Sequence, residues 1–154
     1  MLILDSIGDG LNILTIKQVN SMISLIFFIL ASICNSIMDT LCHHHSTSIF
    51  KKHITGFWSD SILQSWKNKY ANGDPLQGRK KLFWIINVPV QFTDAFHFFK
   101  SLMIIFTCLS IATFWLNEIY FFDYWINVLI VIIIYGTAWN ATFSLFYNKI
   151  LRRR

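Results

Sequence analysis

Three long stretches almost free of charge limit this chain to a narrow set of folds. Residues 20–38, NSMISLIFFILASICNSIM, carry no charge in nineteen positions, and the window 19–41 is long enough to cross a hydrocarbon core of about 30 Å. From 98 to 117 the only charge is Lys100, and from 124 to 148 there is none, with VLIVIII at the centre. Soluble domains carry about 25% charged residues. Here 14% are charged and 55% are hydrophobic, which excludes disorder and a disulfide scaffold and argues against an ordinary water-soluble globule. The chain therefore reads as one membrane domain, an all-α integral membrane helical bundle of three transmembrane helices plus interfacial amphipathic helices. Its expected parts are an outer interfacial tail over 1–18, spans over 19–41, 92–117 and 124–148, a basic loop over 42–91 and a basic tail over 149–154.

The link 118–123, EIYFFD, has room only for a helical hairpin turning at the membrane surface. Trp115, Tyr120, Tyr124 and Trp125 there suit an aromatic belt. Three crossings put the termini on opposite sides. Twelve of the thirteen Lys and Arg, from Lys51 to Arg154, share one side, whereas Lys17 stands opposite with Asp5, Asp9, Glu118 and Asp123. The positive-inside rule then gives N-terminus out and C-terminus in, and a bacterial inner membrane is the expected location. The net charge of +5 reports topology and does not imply nucleic acid. Its partner is the bilayer's anionic headgroups. Asp5 and Asp9 replace the basic region of a signal peptide, so the first span is expected to stay as an anchor. Leu4, Ile7, Leu11 and Leu14 suggest a short interfacial helix before it, weakened by Gly8 and Gly10. The Asn140-Ala-Thr142 glycosylation pattern falls inside the third span and is discounted.

The loop is too small for a core of its own and must lean on the membrane. Residues 53–70 place Phe57, Trp58, Ile62 and Trp66 on one face, which predicts an amphipathic helix in the headgroup layer with Ser59 or Asp60 as N-cap. Asn72-Gly73-Asp74-Pro75 ends it by turn chemistry. The GDPLQGRK run at 73–80 lacks the lysine, hydroxyl and preceding strand of a phosphate loop, so it reads as a plain turn. Residues 82–90, LFWIINVPV, are apolar and allow a re-entrant element. Proline suits a first helical turn, so a helix starting near Pro89 is predicted to run into the second span.

One constellation has chemical potential. Asp39 and His43 lie four apart at the inner end of the first span, and Asp94 and His97 three apart at the inner end of the second. Were they to converge, two carboxylates and two imidazoles would suit a divalent metal such as zinc, iron or manganese, with His44 or His45 in reserve. Such a metal would activate water or hold oxygen chemistry at the lipid interface. Neither H-E-x-x-H nor the histidine boxes of membrane desaturases are present. The plainer reading has the aspartates capping or snorkelling, 43–45 as a solvated tract and His97 bonded to a neighbour. A proton relay or a pH-sensitive patch at the three histidines are further options. Cys34, Cys42 and Cys108 form no C-x-x-C pair, and Cys42 is expected to be a free thiol, open to a soft metal or acylation.

Small and polar residues within the spans predict helix packing: Asn20, Ser24, Ser32 and Asn35 in the first, Thr107, Ser110, Thr113 and Asn117 in the second, Gly136, Thr137, Asn140 and Ser144 in the third. The runs SWKNKYANGDPLQGRKKLFW and FTDAFHFFKSLMI resemble stretches of small uncharacterised polytopic membrane proteins of bacterial and phage genomes. That resemblance covers about a third of the chain and transfers no activity. Three function classes follow. The favoured one is a non-enzymatic accessory, scaffold or oligomeric component, associating with itself or a larger membrane partner. The others are a metal-dependent membrane enzyme using the Asp/His residues, and a pore or holin-like permeabiliser.

Overall fold

The computed structural model describes residues 2–52, 57–58, 67–83, 85–115 and 124–152, the side chains of 2–18, Trp115 and Tyr124 apart. The chain is all-α, built on helices α1 (Leu2–His43), α2 (Ala95–Trp115) and α3 (Tyr124–Leu145), the last extended by a π-helical turn over Phe146–Leu151. Three segments are long and apolar enough to cross a membrane: Val19–His43, Ala95–Phe114 and Trp125–Leu151. The helix expected over the N-terminal tail has no separate existence. It runs through Gly8 and Gly10 into the first span as one helix of 42 residues, about 63 Å at 1.5 Å per residue.

α1 is the central helix because its packing face is made of small side chains. Ser24, Ala31, Ser32, Ser36 and Thr40 have no exposed surface. In lipid no hydrophobic force drives helices together, so close approach and interhelical hydrogen bonds must hold them. α1 packs along α2 and, less extensively, α3, whereas α2 and α3 barely meet except where the Phe114 and Tyr135 rings lie 5.9 Å apart. The Ser24 hydroxyl donates to the Ser110 carbonyl at 2.7 Å and accepts from the Tyr135 phenol at 2.8 Å, so one serine joins all three helices. One turn deeper the Phe28 ring lies between Tyr135 and Trp139, and Ser32 donates to the Trp139 carbonyl at 2.9 Å. Thr107 and Thr113 turn back onto the Met103 and Leu109 carbonyls of their own helix, which satisfies a hydroxyl without a partner helix.

At the opposite end of the bundle Leu41, Phe50, Ala95 and Leu151 form the apolar core, backed by Ile37, Trp58, Phe99 and Phe146. This knot ties the end of α1, the turn after it, the start of α2 and the end of α3. Trp58 stacks on Phe50 at 4.9 Å, the Ala95 amide donates to the Phe57 carbonyl at 2.7 Å, and the Ile49 amide donates to the Leu151 carbonyl at 2.9 Å. The π turn places that carbonyl at the edge of the Ser48–Arg152 bridge. Of the amphipathic helix predicted over 53–70, the described residues are Phe57 and Trp58, which form a turn, and 67–70, where 67–69 make a 3₁₀ turn and Tyr70 enters a β-bridge with Arg79. The rest of that prediction, including Ser59, Asp60, Ile62 and Trp66, and the 118–123 link, lie outside the described residues.

One expectation for the loop is corrected. The helix predicted from Pro89 begins instead at Ala95: Pro89 is extended (φ −60°, ψ 142°), Val90–Phe92 make a single 3₁₀ turn, and Asp94 caps α2. The apolar run 82–90 holds a two-stranded antiparallel hairpin, β1 (Lys81–Leu82) against β2 (Ile86–Asn87). The turn at 72–78 is as turn chemistry requires. Asn72, Gly73 and Gly78 take positive φ, and Asp74 accepts from the Leu76 amide at 2.9 Å to cap the 3₁₀ turn Pro75–Gln77.

Candidate functional site

Asp94 sits where the chain enters α2, and its position explains its company. The first amides of a helix have no partner inside it. Asp94 Oδ1 accepts from the His97 amide at 2.9 Å, the geometry of a helix N-cap. The same carboxylate receives the His97 ring, Nδ1 lying 2.8 Å from Oδ2 and 3.0 Å from Oδ1. Asn68 donates to Oδ2 at 3.3 Å and the Thr93 hydroxyl reaches it at 3.2 Å. With Asp94 only 4% exposed, its oxygens are supplied almost entirely by protein donors. A carboxylate can only accept, so the His97 Nδ1 carries the proton and the imidazole is held in one orientation. The arrangement can hold a loop and a helix end together and fix one imidazole.

Asp39 and His43 do not join it. Asp39 is half-buried and His43 is exposed on α1, and neither makes a hydrogen bond or ion pair among the described residues. Among those residues no three of His, Cys, Asp and Glu stand together in a group that could hold a metal ion. The four-residue shell for zinc, iron or manganese is thus not assembled: the same side-chain types occur as a bonded pair on α2 and two unconnected groups on α1. The reserve ligands are engaged elsewhere. The buried His45 donates from Nε2 to the Trp58 carbonyl at 2.8 Å, and the His44 ring meets the Tyr147 ring edge-on at 5.3 Å. Of the 43–45 tract, His45 is thus drawn in against Trp58 and His44 lies half-buried on Tyr147, whereas His43 stays exposed. Cys34 is buried, Cys42 half-buried and Cys108 exposed, all as free thiols.

The second constellation is on α3. No side chain of this helix from Trp125 to Ile150 is buried, because α1 covers only the Tyr135 and Trp139 side. Gly136, Asn140, Ser144 and Asn148 recur every four residues and so form one ridge, turned away from that side. Asn140, Ser144 and Asn148 are exposed, and a side chain added at Gly136 would meet nothing within 4 Å. Asn148 Nδ2 donates to Ser144 Oγ at 3.2 Å. The Asn140 carboxamide, near the middle of the Trp125–Leu151 segment, has no hydrogen-bond partner among the described residues. Sequence alone pointed to Gly136, Asn140 and Ser144 but not to Asn148, nor to Tyr135, Ser36 and Thr40 within the bundle. The four-residue spacing of Ser32, Ser36 and Thr40 was the available signal for the last two.

No protein-family model matches this chain, and comparisons with curated proteins and with solved structures give no match either.

Proposed function

We propose that this is a small three-span membrane protein that works by association, a non-enzymatic oligomeric component whose α3 ridge is the helix-docking surface. The observation that carries the reading is Asn140: a carboxamide in mid-span, exposed, without a hydrogen-bond partner among the described residues. Unlike Thr107 and Thr113, which bond back onto their own helix, Asn140 leaves two donors and an acceptor open. In hydrocarbon an unsatisfied polar group costs several kcal/mol, and a carboxamide facing its own copy supplies donor and acceptor in both directions. Gly136 one turn away leaves the backbone open to close approach.

The orientation follows the same reading. The Leu41–Ala95–Leu151 knot gathers the end of α1, the start of α2 and the end of α3 at one end of the bundle, the end that carries Lys51, Arg79 to Lys81 and Arg152. The positive-inside rule assigns that end to the cytoplasm, with anionic headgroups around it and a bacterial inner membrane as host.

Fluorescence energy transfer between labelled copies in liposomes tests the association. Asn140→Leu should raise the dissociation constant about fivefold, about 1 kcal/mol, while Thr107→Val leaves it unchanged. Equal association of wild type and Asn140→Leu would count against the ridge.

A further inference from the structure

The β1–β2 hairpin is apolar at its tip, basic at its base and, among the described residues, packed against nothing there. Phe83 and Ile85 are 79% and 83% exposed, and Leu82 and Ile86 at the facing positions are exposed as well. Directly before them Arg79, Lys80 and Lys81 are exposed and have no ion-pair partner among the described residues. The stem is held: Lys80 donates its amide to Lys69 and accepts from Val88, at 2.9 and 2.8 Å, and Tyr70 bridges Arg79. Phe83 adopts φ 51°, a conformation usually left to glycine or asparagine and uncommon for a bulky residue. The fold thus maintains a strained aromatic at a tip where water would meet only hydrocarbon. A two-stranded ribbon of this size is marginal in water by itself.

We propose that the 80–88 hairpin is an interfacial anchor that inserts Leu82, Phe83, Ile85 and Ile86 among the lipids while Arg79, Lys80 and Lys81 bind anionic headgroups. This rests on the membrane embedding proposed above and adds the segment and the lipid chemistry. Its occupant is the bilayer, for two reasons. Unpaired positive charge beside exposed apolar side chains complements an anionic headgroup layer over acyl chains. The ribbon also leads through Val90–Phe92 directly into α2 at Ala95, where a membrane-crossing segment begins, so it stays close to the bilayer surface.

The full-length protein, with Cys34, Cys42 and Cys108 changed to serine, is spin-labelled at one introduced cysteine: Phe83→Cys, Ile85→Cys or, as the bilayer reference on α3, Ile132→Cys. Nanodiscs of phosphatidylcholine, with or without phosphatidylglycerol, are then exposed to oxygen and to a water-soluble nickel chelate. Labels at 83 and 85 should collide with oxygen several-fold more than with nickel, and phosphatidylglycerol should widen the difference. Nickel-rich labels at 83 and 85, with an oxygen-rich label at 132, would put the hairpin in water and overturn the proposal while leaving the spans intact. Labels shielded from both reagents would mean a protein covers the tip, which also overturns it. A nickel-rich label at 132 would remove the membrane reading itself. No response to phosphatidylglycerol would overturn the role given to the three basic residues.

Discussion

At the foot of α2 one carboxylate caps a helix, fixes an imidazole and holds a loop. Asp94→Ala removes the cap and leaves the half-buried partners Asn68 and His97 unmatched, so it should lower stability by about 2 kcal/mol. Asp94→Asn keeps a capping oxygen and should lose about half of that. Thermal unfolding of the purified protein in mild detergent separates the two, and equal losses would deny the capping role. Asp39 and His43 have a similar spacing and a different fate for a physical reason. Asp94 stands before the unpaired amides of a helix start. Asp39 lies in the last turns of α1, where amides are already bonded and the nearby helix end is negative. The pairing of Asp94 with His97 was legible in the spacing; that of Asp94 with Asn68, 26 residues away, was not. It joins two segments far apart in the chain, which no local pattern announces.

Among the elements, α1 depends on small side chains at full burial. Ala31→Leu puts four heavy atoms' worth of side chain where one fits, and should destabilise the bundle by about 1–3 kcal/mol, read by the same thermal assay. At the 72–78 turn, Gly78 has φ 75° and open space around it. Gly78→Ala meets no clash, but φ 75° with ψ −177° is a backbone region essentially confined to glycine, so it should cost about 1–3 kcal/mol. A loss several-fold larger would mean the site is crowded after all. The three spans were legible because uncharged length is a long-range signal. The start of α2 was not, because Pro89 and Asp94 both fit a helix entry and the Asp94 cap prevailed. The 82–90 hairpin was also unreadable: a run apolar at nearly every position shows neither helical nor strand alternation.

At the scale of the whole molecule, α1 lies central to two helices that scarcely meet, so α3 keeps a free face along its length. Sequence identified polar residues in all three spans but could not divide them between faces. The division appears only when Ser24, Ser110 and Tyr135 are seen bonded together and Asn140 is left over. Cysteine cross-linking in native membranes reports whether the α3 ridge meets a second copy. In the cysteine-free protein, Ser144→Cys lies on the ridge, and Leu145→Cys lies at nearly the same depth about 100° around the helix. Ser144→Cys should give rapid disulfide dimers and Leu145→Cys few, with Asn140→Leu slowing the former. Dimers forming equally at both positions, or at neither, would contradict docking through the ridge.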